Sequence, residues 1–423
     1  MKSSMKYAMI LFLGSLLISE AFADKILIHM DLQQKDHLKA YGIAYWTLEN
    51  GINVEWLLNY RGGSFLIDDH PFIEKELRLR GVSFSVESES QAAQIYAVIE
   101  QDNMDVVLLE KAPKIAIYAP PNKQAWDDAV LLALEYAEIP HEKLWDKGVL
   151  QGELELFDWL HLHHEDFTGQ YGKFYANYRN ADWYKDEVEK NERIAHQMGF
   201  RKVSELKKAV ARTIKEYIRR GGFVFGMCSA TDTIDLALAA ENVDIVDSVY
   251  DGDAVNKNVS KWLDYSKCLA FENFTIITNP LVYEYSDIDI PPSNAPLLRG
   301  AEADYFTLFE FAAKYDPVPT MLTQCHVNAV KGFMGQTTGF RKSLIKKSVI
   351  IMGEAEGTEQ VKYVHGNYGK GTFTFYGGHD PEDYQHFVND PPTQLILHKN
   401  SPGYRLILNN ILFPAARKKK LKT

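Results

Sequence analysis

The stretch GGFVFGMCSATDTIDLALAAEN, residues 221–242, joins a short β-prone run directly to a helix-prone run. The junction carries the sequence GMCSA at 226–230, so Cys228 is expected where a strand turns into a helix. In doubly wound α/β sheets, functional sites collect outside the carboxyl ends of the strands. Two interpretations are open at this point: Cys228 is a nucleophile on a sharp turn, or it is a buried structural thiol.

The residues before this junction alternate between strand-like and helix-like runs. KIAIYAP (114–120) and LELFDWLHL (154–162) predict strands, while QAWDDAVLLALEYAEI (124–139) and VSELKKAVARTIKEYIRR (203–220) have apolar residues at helical spacing. The alternation predicts an α/β fold with a doubly wound, mostly parallel sheet that is covered by helices. We expect this domain to span residues 111–415, with an insertion near 167–200.

The remainder of the chain predicts further strands and helices. Beyond residue 242, strands are expected at FTIITNPLVYEY (274–285), SVIIMGEAE (348–356), VKYVHGNYG (361–369) and GTFTFYGG (371–378), and a closing helix at YRLILNNILF (404–413). Residues 24–110 also alternate between strand-like and helix-like runs, and they predict a small separate α/β domain.

The N-terminal segment has the pattern of a signal peptide. Lys2 and Lys6 precede a short apolar run, and Ala-Phe-Ala at 21–23 fits a cleavage site. We therefore expect residues 1–23 to be removed from a secreted or periplasmic protein whose mature chain begins near Asp24 and has no integral membrane segment. In an oxidising compartment, two of the three cysteines could pair, or all three could remain reduced and buried.

The composition excludes one class of partner. The chain has 46 Lys and Arg against 57 Asp and Glu among its 423 residues, which gives a net charge of −11. An acidic chain of this kind has no global field that attracts nucleic acid, and the short basic tail at 416–423 is best explained as a solvated end. The expected partner is a small-molecule substrate or a carbohydrate, because the aromatic segment 171–184 could stack on sugar rings.

Three predicted strands end at reactive side chains: HLHHED (161–166) at the first, Cys228 at the second and His379 at the third. A thiol at the start of a helix lies near unpaired backbone N–H groups, which lower its pKa and raise the fraction that is present as thiolate. His379 would act as the general base for Cys228, and Glu382 or Asp380 would orient the imidazole. These four residues are the predicted catalytic set, and the residues expected to contact substrate are His163, His164, Glu165, Gly226 and Ser229.

The motifs resemble those of a known superfamily. GMCSA at 226–230 is similar to the nucleophile elbow of the class I glutamine amidotransferase-like superfamily, and YGKGTFTFYGGHDPE (368–382) is more similar to its ThuA-like branch. The resemblance implies a flavodoxin-like fold and a Cys–His–Glu type of hydrolase. Two departures argue against glutamine hydrolysis: Ala230 replaces the second glycine of the elbow, and no Gly-Gly pair accompanies HHED at 163–166.

The whole chain also resembles secreted bacterial proteins that are labelled "asparagine synthetase B". HLKAYGIAYWTLENGINVEWLLNYRGGSF (37–65) carries this likeness. The label implies ATP chemistry that the sequence does not support, because neither a pyrophosphate loop nor a P-loop is present. We therefore predict no cofactor and hold two functional hypotheses open: a cysteine-dependent hydrolase of an amide, ester or sugar-derived molecule, and a non-catalytic protein that binds a small ligand or glycan.

The stretch HLHHED (161–166) raises a further possibility. His161 and His163 share one face of the predicted strand, and the residues after it are rich in imidazole and carboxylate groups. Such groups bind zinc and other divalent ions, so a site formed by His163, Glu165 and His379 is one alternative. A polar loop that lines a pocket is the simpler interpretation, and we predict no metal.

Overall fold

The computed structural model describes residues 24–120, 128–290, 301–387 and 390–417. The predicted signal segment at 1–23 lies outside the described residues, as does most of the predicted basic tail. Within the described ranges, two sheets and their helices account for the regular structure, and none of the helices is both long enough and apolar enough to cross a membrane.

The N-terminal part of the chain forms a small sheet that is antiparallel throughout, in the order β4-β1-β3-β2-β5. Its strands are β1 (Lys25–Ile28), β2 (Val54–Leu58), β3 (Ser64–Asp68), β4 (Phe84–Glu87) and β5 (Asp105–Leu109). Its helices are α1 (His37–Glu49), α2 (Pro71–Arg80) and α3 (Glu89–Gln101). One face of the sheet packs with α1 and α2, and the other packs with α3.

A second sheet of ten strands forms the rest of the fold. Its strands are β6 (Ile115–Tyr118), β7 (Glu142–Leu144), β8 (Trp159–Leu162), β9 (Phe223–Met227), β10 (Tyr305–Leu308), β11 (Ala329–Lys331), β12 (Phe340–Arg341), β13 (Ile350–Glu354), β14 (Gln360–Tyr368) and β15 (Gly371–Tyr376). The helices that accompany it are α4 (Ala129–Ala137), α5 (Asp146–Leu150), α6 (Tyr175–Tyr178), α7 (Asp182–Gln197), α8 (Val203–Arg220), α9 (Ala230–Ala239), α10 (Ser248–Asp251), α11 (Pro317–Leu322) and α12 (Pro402–Leu412).

The large sheet is mixed rather than mostly parallel. The strands β15-β9-β8-β6-β7 are neighbours in that order and run parallel to one another. On the far side of β15, the strands β14, β13, β10 and β11 continue the sheet in antiparallel fashion, and β12 pairs with β14. The α/β class is therefore as predicted. The expectation of a mostly parallel sheet is wrong, because only the part built from strand–helix–strand repeats is parallel.

Both faces of the parallel strands β6, β8 and β9 are buried, which explains why these strands are mostly apolar. In β6, Ile115 and Ile117 face a cluster that includes α4 and α12, while Ala116 and Tyr118 face a cluster that includes α8 and α9. The first cluster also contains the core of the small sheet. There α1 lies against α4 so closely that a Cβ on Gly42 would be 2.0 Å from the Ala137 carbonyl oxygen.

One local prediction fails and one strand was missed, each for an identifiable reason. Residues 274–285 were expected to form a strand, but they form only a single bridge, from Ile276 to Ser286. Their apolar side chains Phe274 and Tyr285 fill a core cluster without joining a ladder. The strand β7 was not predicted, because Glu142 and Lys143 are exposed and give no apolar pattern.

Candidate functional site

Three parallel strands bring the predicted site residues to one edge of the large sheet. Since β8, β9 and β15 are adjacent and parallel, their carboxyl ends lie side by side. The backbone N–H of Cys228 donates to the carbonyl of Gly378 at 3.1 Å, and the N–H of Ala230 donates to the carbonyl of His163 at 3.0 Å. The chain therefore places the segments that carry Cys228, His163 and His379 next to one another.

The backbone at Cys228 has the geometry of a sharp elbow. Its φ angle is +49°, between the end of β9 at Met227 and the start of α9 at Ala230. A left-handed conformation costs a non-glycine residue about 1–2 kcal/mol, and such strain tends to cluster at functional sites. Ala230 is already helical, so alanine is tolerated at the position where the superfamily pattern has its second glycine.

The sulfur of Cys228 is buried rather than exposed at this elbow. The residue is 2% exposed, and its Sγ accepts a hydrogen bond from the backbone N–H of Gln336 at 3.3 Å. Burial raises the pKa of the thiol to about 11, although the N–H groups of Gln336, Thr337 and Ser229 act in the opposite direction. The sequence predicted a lowered pKa, but the lack of solvent outweighs the nearby N–H donors.

A loop at residues 334–338 covers the thiol. Its backbone pairs with the segment after β15, where His379 N–H donates to Met334 O at 2.9 Å and Gly378 N–H donates to Thr337 O at 2.7 Å. The Gln336 side chain continues across the cover, with Nε2 donating to the carbonyl of Gly172 at 2.8 Å. The loop therefore lies over the Cys228 sulfur and contributes to its burial.

The histidines at this edge contact one another. The Nε2 atom of His163 lies 3.0 Å from Nδ1 of His379, with the two rings nearly perpendicular. The His164 ring centre lies 5.1 Å from that of His163 and 6.0 Å from that of His379. One ligand nitrogen from each of these three residues falls in a set whose members are within 4.8 Å of one another.

A buried carboxylate supports this histidine cluster. Asp128 caps α4 by accepting from the N–H groups of Val130 and Leu131, and its Oδ1 lies 3.2 Å from Nε2 of His161 and 3.6 Å from Nδ1 of His163. Burial alone would raise the pKa of Asp128, but the two histidines outweigh it and hold this pKa well below its usual range. Burial also lowers the pKa of His163 well below its usual value.

The predicted orienting carboxylates lie elsewhere. Oδ2 of Asp380 accepts from the Tyr404 hydroxyl at 2.9 Å, and Oε2 of Glu382 lies 2.9 Å from Nδ1 of His398. The ring of His379 instead stacks on His386, with the ring centres 4.4 Å apart. The side chains of Asp380 and Glu382 thus contact Tyr404 and His398, while His379 contacts His163 and His386.

The remaining predicted contact residues also lie at this edge. Ser229 is buried at the start of α9, and the backbone carbonyl of Glu165 accepts from the Thr233 hydroxyl at 2.8 Å. A Cβ on Gly226 would lie 3.0 Å from the Phe375 ring, which allows β9 and β15 to pair closely. All three cysteines lie in described residues and are free thiols, so no two of them pair.

Sequence reasoning missed two residues that complete the site. Asp128 directly precedes an apolar helical run, which is the usual signal for an N-cap, but nothing local indicates that His161 and His163 lie beside it. Gln336 lies in a glycine-containing loop between two strands, a segment type that often carries function. Only the tertiary pairing of residues 334–338 with Gly378 and His379 brings it to the thiol.

Comparisons with known proteins give only weak likenesses. No family model matches the chain, and no curated protein matches it. The solved structures include the cytoplasmic protein STM3548 from Salmonella typhimurium, with a TM-score of 0.33 and 10% identity, and the cytoplasmic protein STM1381 from Salmonella typhimurium LT2, with a TM-score of 0.32 and 11% identity. Each match covers 72% of this chain and 100% of the other.

A third solved structure is Gan42B, a GH42 beta-galactosidase. It matches with a TM-score of 0.27 and 10% identity over 64% of this chain and 28% of the other. Similarities at these TM-scores carry no argument about function. The two Salmonella proteins are titled cytoplasmic, in contrast to the predicted secreted or periplasmic location, and that prediction is withdrawn. The oxidising compartment assumed for the cysteines is withdrawn with it.

Proposed function

We propose that the chain is a hydrolase that acts on an amide, an ester or a sugar-derived small molecule at the edge where β8, β9 and β15 end. The proposal includes a flavodoxin-like domain of the class I glutamine amidotransferase-like kind. Numbered along the chain, the parallel strands β6, β7, β8, β9 and β15 have the spatial order 2-1-3-4-5. That order is the flavodoxin-like one, whose ligands bind beyond the strand ends.

The observation that carries the proposal is the positive φ of Cys228 between β9 and α9. A strained turn from strand to helix presents a nucleophile at the top of a sheet, and the surrounding backbone N–H groups can stabilise an oxyanion. In the proposed reaction, the Cys228 sulfur attacks a carbonyl carbon, and the thiol proton passes through an imidazole to the leaving amine or alcohol. Water then hydrolyses the thioester, which releases the acid and restores the thiol.

The reaction requires two changes at the site as described. The loop at 334–338 must move away from the sulfur, because Gln336 caps it. The thiol must also lose its proton to a neighbouring base, because burial raises its pKa to about 11. His163 and His379 are the imidazoles whose segments are hydrogen-bonded to the elbow, so they are the proposed bases.

The test is a panel of small amides and esters, with glutamine included, assayed with the wild type, Cys228→Ala, Cys228→Ser and the control Cys268→Ala. Cys268 is also a buried free thiol, but it lies away from the strand edge and contacts the Asp235 carbonyl. We expect Cys228→Ala to lose turnover by about a thousandfold or more, and Cys268→Ala to retain it. Turnover that survives in Cys228→Ala would exclude the cysteine mechanism.

One observation favours a second candidate, a non-catalytic protein that binds a small polar ligand or glycan. The Cys228 sulfur is covered and protonated, which is the state of an inert structural thiol. Under this hypothesis no substrate in the panel is turned over. Equilibrium dialysis with the same compounds and with simple sugars then detects binding that Cys228→Ala does not weaken.

A further inference from the structure

We propose that His163, His164 and His379 bind a divalent transition metal ion, with zinc as the best fit, beside the elbow at Cys228. The predicted set of functional residues contained no metal site. This inference goes beyond the proposed hydrolase function and does not depend on it, because the cluster can bind an ion whether or not Cys228 reacts. His163 and His379 are also the proposed bases for Cys228, and each can take the thiol proton only while its ligand nitrogen carries no ion.

The spacing of the nitrogens is close to what a tetrahedral ion requires. Imidazole nitrogens bind zinc at 2.0–2.1 Å, so two ligands of one tetrahedral ion lie about 3.4 Å apart. Nε2 of His163 and Nδ1 of His379 are 3.0 Å apart, and the third nitrogen, from His164, completes a set within 4.8 Å. All three nitrogens are therefore close enough to one another to be ligands of a single ion.

The elements that hold these histidines are rigid. His163 follows β8 directly, and its carbonyl is fixed by the N–H of Ala230 at the start of α9. His379 follows β15, and its N–H is fixed by Met334. The ring of His379 is also supported on its other side, where it stacks on His386. Metal sites built on the ends of paired strands keep their ligands in place, and this reduces the ordering cost of binding.

Asp128 supplies the outer support that metal-binding histidines usually have. A histidine that binds a metal through one nitrogen commonly directs its other nitrogen at a carboxylate. In this structure Nε2 of His163 faces the cluster, while Nδ1 lies 3.6 Å from Oδ1 of Asp128. The carboxylate is itself anchored by two N–H groups of α4 and by His161. The arrangement therefore has both an inner set of ligands and an outer carboxylate.

The donor types select the ion. Three imidazoles without an oxygen ligand suit zinc and its neighbours in the first transition row, whereas Mg²⁺ and Ca²⁺ prefer oxygen. His163 and His379 are buried, but His164 is only half-buried. The cluster is thus open on the side of His164, and a water molecule or a substrate atom can take the fourth position there, as in catalytic zinc sites.

Two other groups of residues compete with this assignment. Asp128, His161 and His163 form a second, fully buried group, and Asp383, His386 and Asp390 form a third, half-buried group. In the second group, the Asp128 carboxylate already accepts hydrogen bonds from the N–H groups of α4, and all three residues are buried. The third contains a single imidazole and two carboxylates, which makes it a weaker zinc site. Variants that differ in these groups distinguish the three possibilities.

The experiment measures zinc bound to the full-length chain, purified without a metal-affinity tag. The protein is loaded with ZnCl₂, passed over a desalting column and analysed by mass spectrometry for metal, and its affinity is measured by competition with a chromogenic chelator. We expect about one zinc ion per chain for the wild type. His163→Ala, His164→Ala and His379→Ala should each weaken binding at least about a hundredfold, and the half-buried control His141→Ala should leave it unchanged.

A second measurement does not depend on whether the variants fold. Wild-type protein loaded with CoCl₂ should develop the intense visible absorption of tetrahedral Co²⁺, and ZnCl₂ should displace it. The proposal is overturned if the wild type retains no more zinc than His379→Ala, or if Co²⁺ gives only the weak octahedral spectrum. It is also overturned if zinc is retained in His164→Ala and His379→Ala but lost in His161→Ala or His386→Ala.

The same samples separate this proposal from the hydrolase proposal. Cys228→Ala removes the thiol but none of the three ligands, so it should bind zinc as the wild type does. If it does so while no substrate is turned over by any form of the protein, the metal site stands and the hydrolase function fails. If turnover depends on Cys228 and no zinc is bound, the reverse holds.

Discussion

The Nε2 atom of His163 lies 3.0 Å from the Nδ1 atom of His379, although the two residues are 216 positions apart in the chain. This contact joins the end of β8 to the end of β15 across the strand that carries Cys228. His379 therefore faces another imidazole, and the Cys228 sulfur instead accepts a hydrogen bond from the backbone N–H of Gln336. The edge of the sheet is therefore organised around a histidine cluster, and the thiol lies beside it under a separate cover.

The left-handed backbone at Cys228 predicts an unusual order of variant stabilities. Because φ is +49°, glycine avoids a cost of about 1–2 kcal/mol that alanine must bear at this position. We expect Cys228→Gly to be more stable than Cys228→Ala by about 1 kcal/mol, measured as the free energy of unfolding in urea. Both variants lose the same buried sulfur, so the difference between them reports the backbone conformation.

Cys268 provides the matched control for this comparison. It is also buried, but its φ of −70° is ordinary for any residue. There alanine should be the more stable replacement, by about 0.4–1 kcal/mol, because glycine gives the unfolded chain more freedom. If alanine were also the better replacement at Cys228, the elbow would not be left-handed in solution.

The three free thiols should differ in their rates of alkylation. Cys325 is partly exposed, whereas Cys228 and Cys268 are buried and burial raises the pKa of each thiol. With iodoacetamide at neutral pH, we expect Cys325 to react first, and the other two to react only after unfolding or local opening. Peptide mass spectrometry over a time course measures this order. Rapid labelling of Cys228 in the folded protein would mean that the loop at 334–338 opens readily.

Patterns that repeat within one element could be predicted from the sequence. The stripe of Val203, Leu206, Val210, Ile214 and Ile218 is buried along α8, and the helix ends as expected before Gly221, whose φ is +132°. Helical periodicity and the glycine stop are local signals, and no tertiary contact is needed to interpret them. Of the strands of the large sheet before Cys228, β6, β8 and β9 were predicted for the same kind of reason, although β8 begins only at Trp159. The exposed β7 was missed.

The geometry of the site could not be predicted in the same way. The sequence indicated that the residues after β8, β9 and β15 would share an edge, but it did not indicate the contact between His163 and His379. Whether His379 contacts Cys228 or His163 depends on the orientations of the imidazole rings. The His379 ring stacks on His386, and the His163 ring lies beside Asp128 at the start of α4. Likewise, the cover over the thiol comes from residues 334–338, which lie more than a hundred positions from Cys228.

The loop at 334–338 packs tightly against the segment after β15 at Gly335. A Cβ at this position would lie 2.8 Å from the backbone N of His379 and 2.9 Å from the carbonyl carbon of Gly378. Since these atoms belong to the backbone, the loop must shift, and we expect Gly335→Ala to cost about 1–3 kcal/mol of unfolding free energy. The shifted loop should also expose the sulfur, so alkylation of Cys228 should become faster than in the wild type.

The control for this variant is Gly357→Ala. Gly357 has a φ of +71° and open space around its Cα, so alanine there adds backbone strain but no clash. It should leave the alkylation rate of Cys228 unchanged. Equal rates in Gly335→Ala and in the wild type would mean that the loop does not limit access to the thiol.

Asp128 should affect zinc affinity without being a ligand. In Asp128→Asn the N-cap of α4 is retained, because asparagine also accepts from backbone N–H groups, but the charge beside His163 is lost. Outer carboxylates of this kind typically contribute 10–100-fold to metal affinity. Chelator competition should therefore give a zinc affinity about 10–100-fold lower, still with about one ion per chain. Complete loss of the ion would instead identify Asp128 as a ligand.

The buried carboxyl group of Asp232 should make the free energy of unfolding depend on pH. Burial raises the pKa of this carboxyl to about 7, although hydrogen bonds from Thr337 and Ser286 oppose the increase. In the unfolded chain the same carboxyl ionises near its ordinary pKa of 3.8. Between these two values the unfolded state binds fewer protons than the folded state, so the contribution of Asp232 to stability is fully present below the lower value and is lost as the pH rises to about 7.

The variant Asp232→Asn removes this dependence while it keeps a polar side chain for Thr337 and Ser286. Its stability relative to the wild type should therefore increase between about pH 4 and pH 7, by up to about 4 kcal/mol for a shift of this size. Urea denaturation at several pH values measures the difference, and Asp186→Asn on the exposed face of α7 is the matched substitution at a surface carboxyl. A parallel pH dependence in Asp232→Asn and in the wild type would mean that this buried carboxyl ionises in the folded protein as readily as in water.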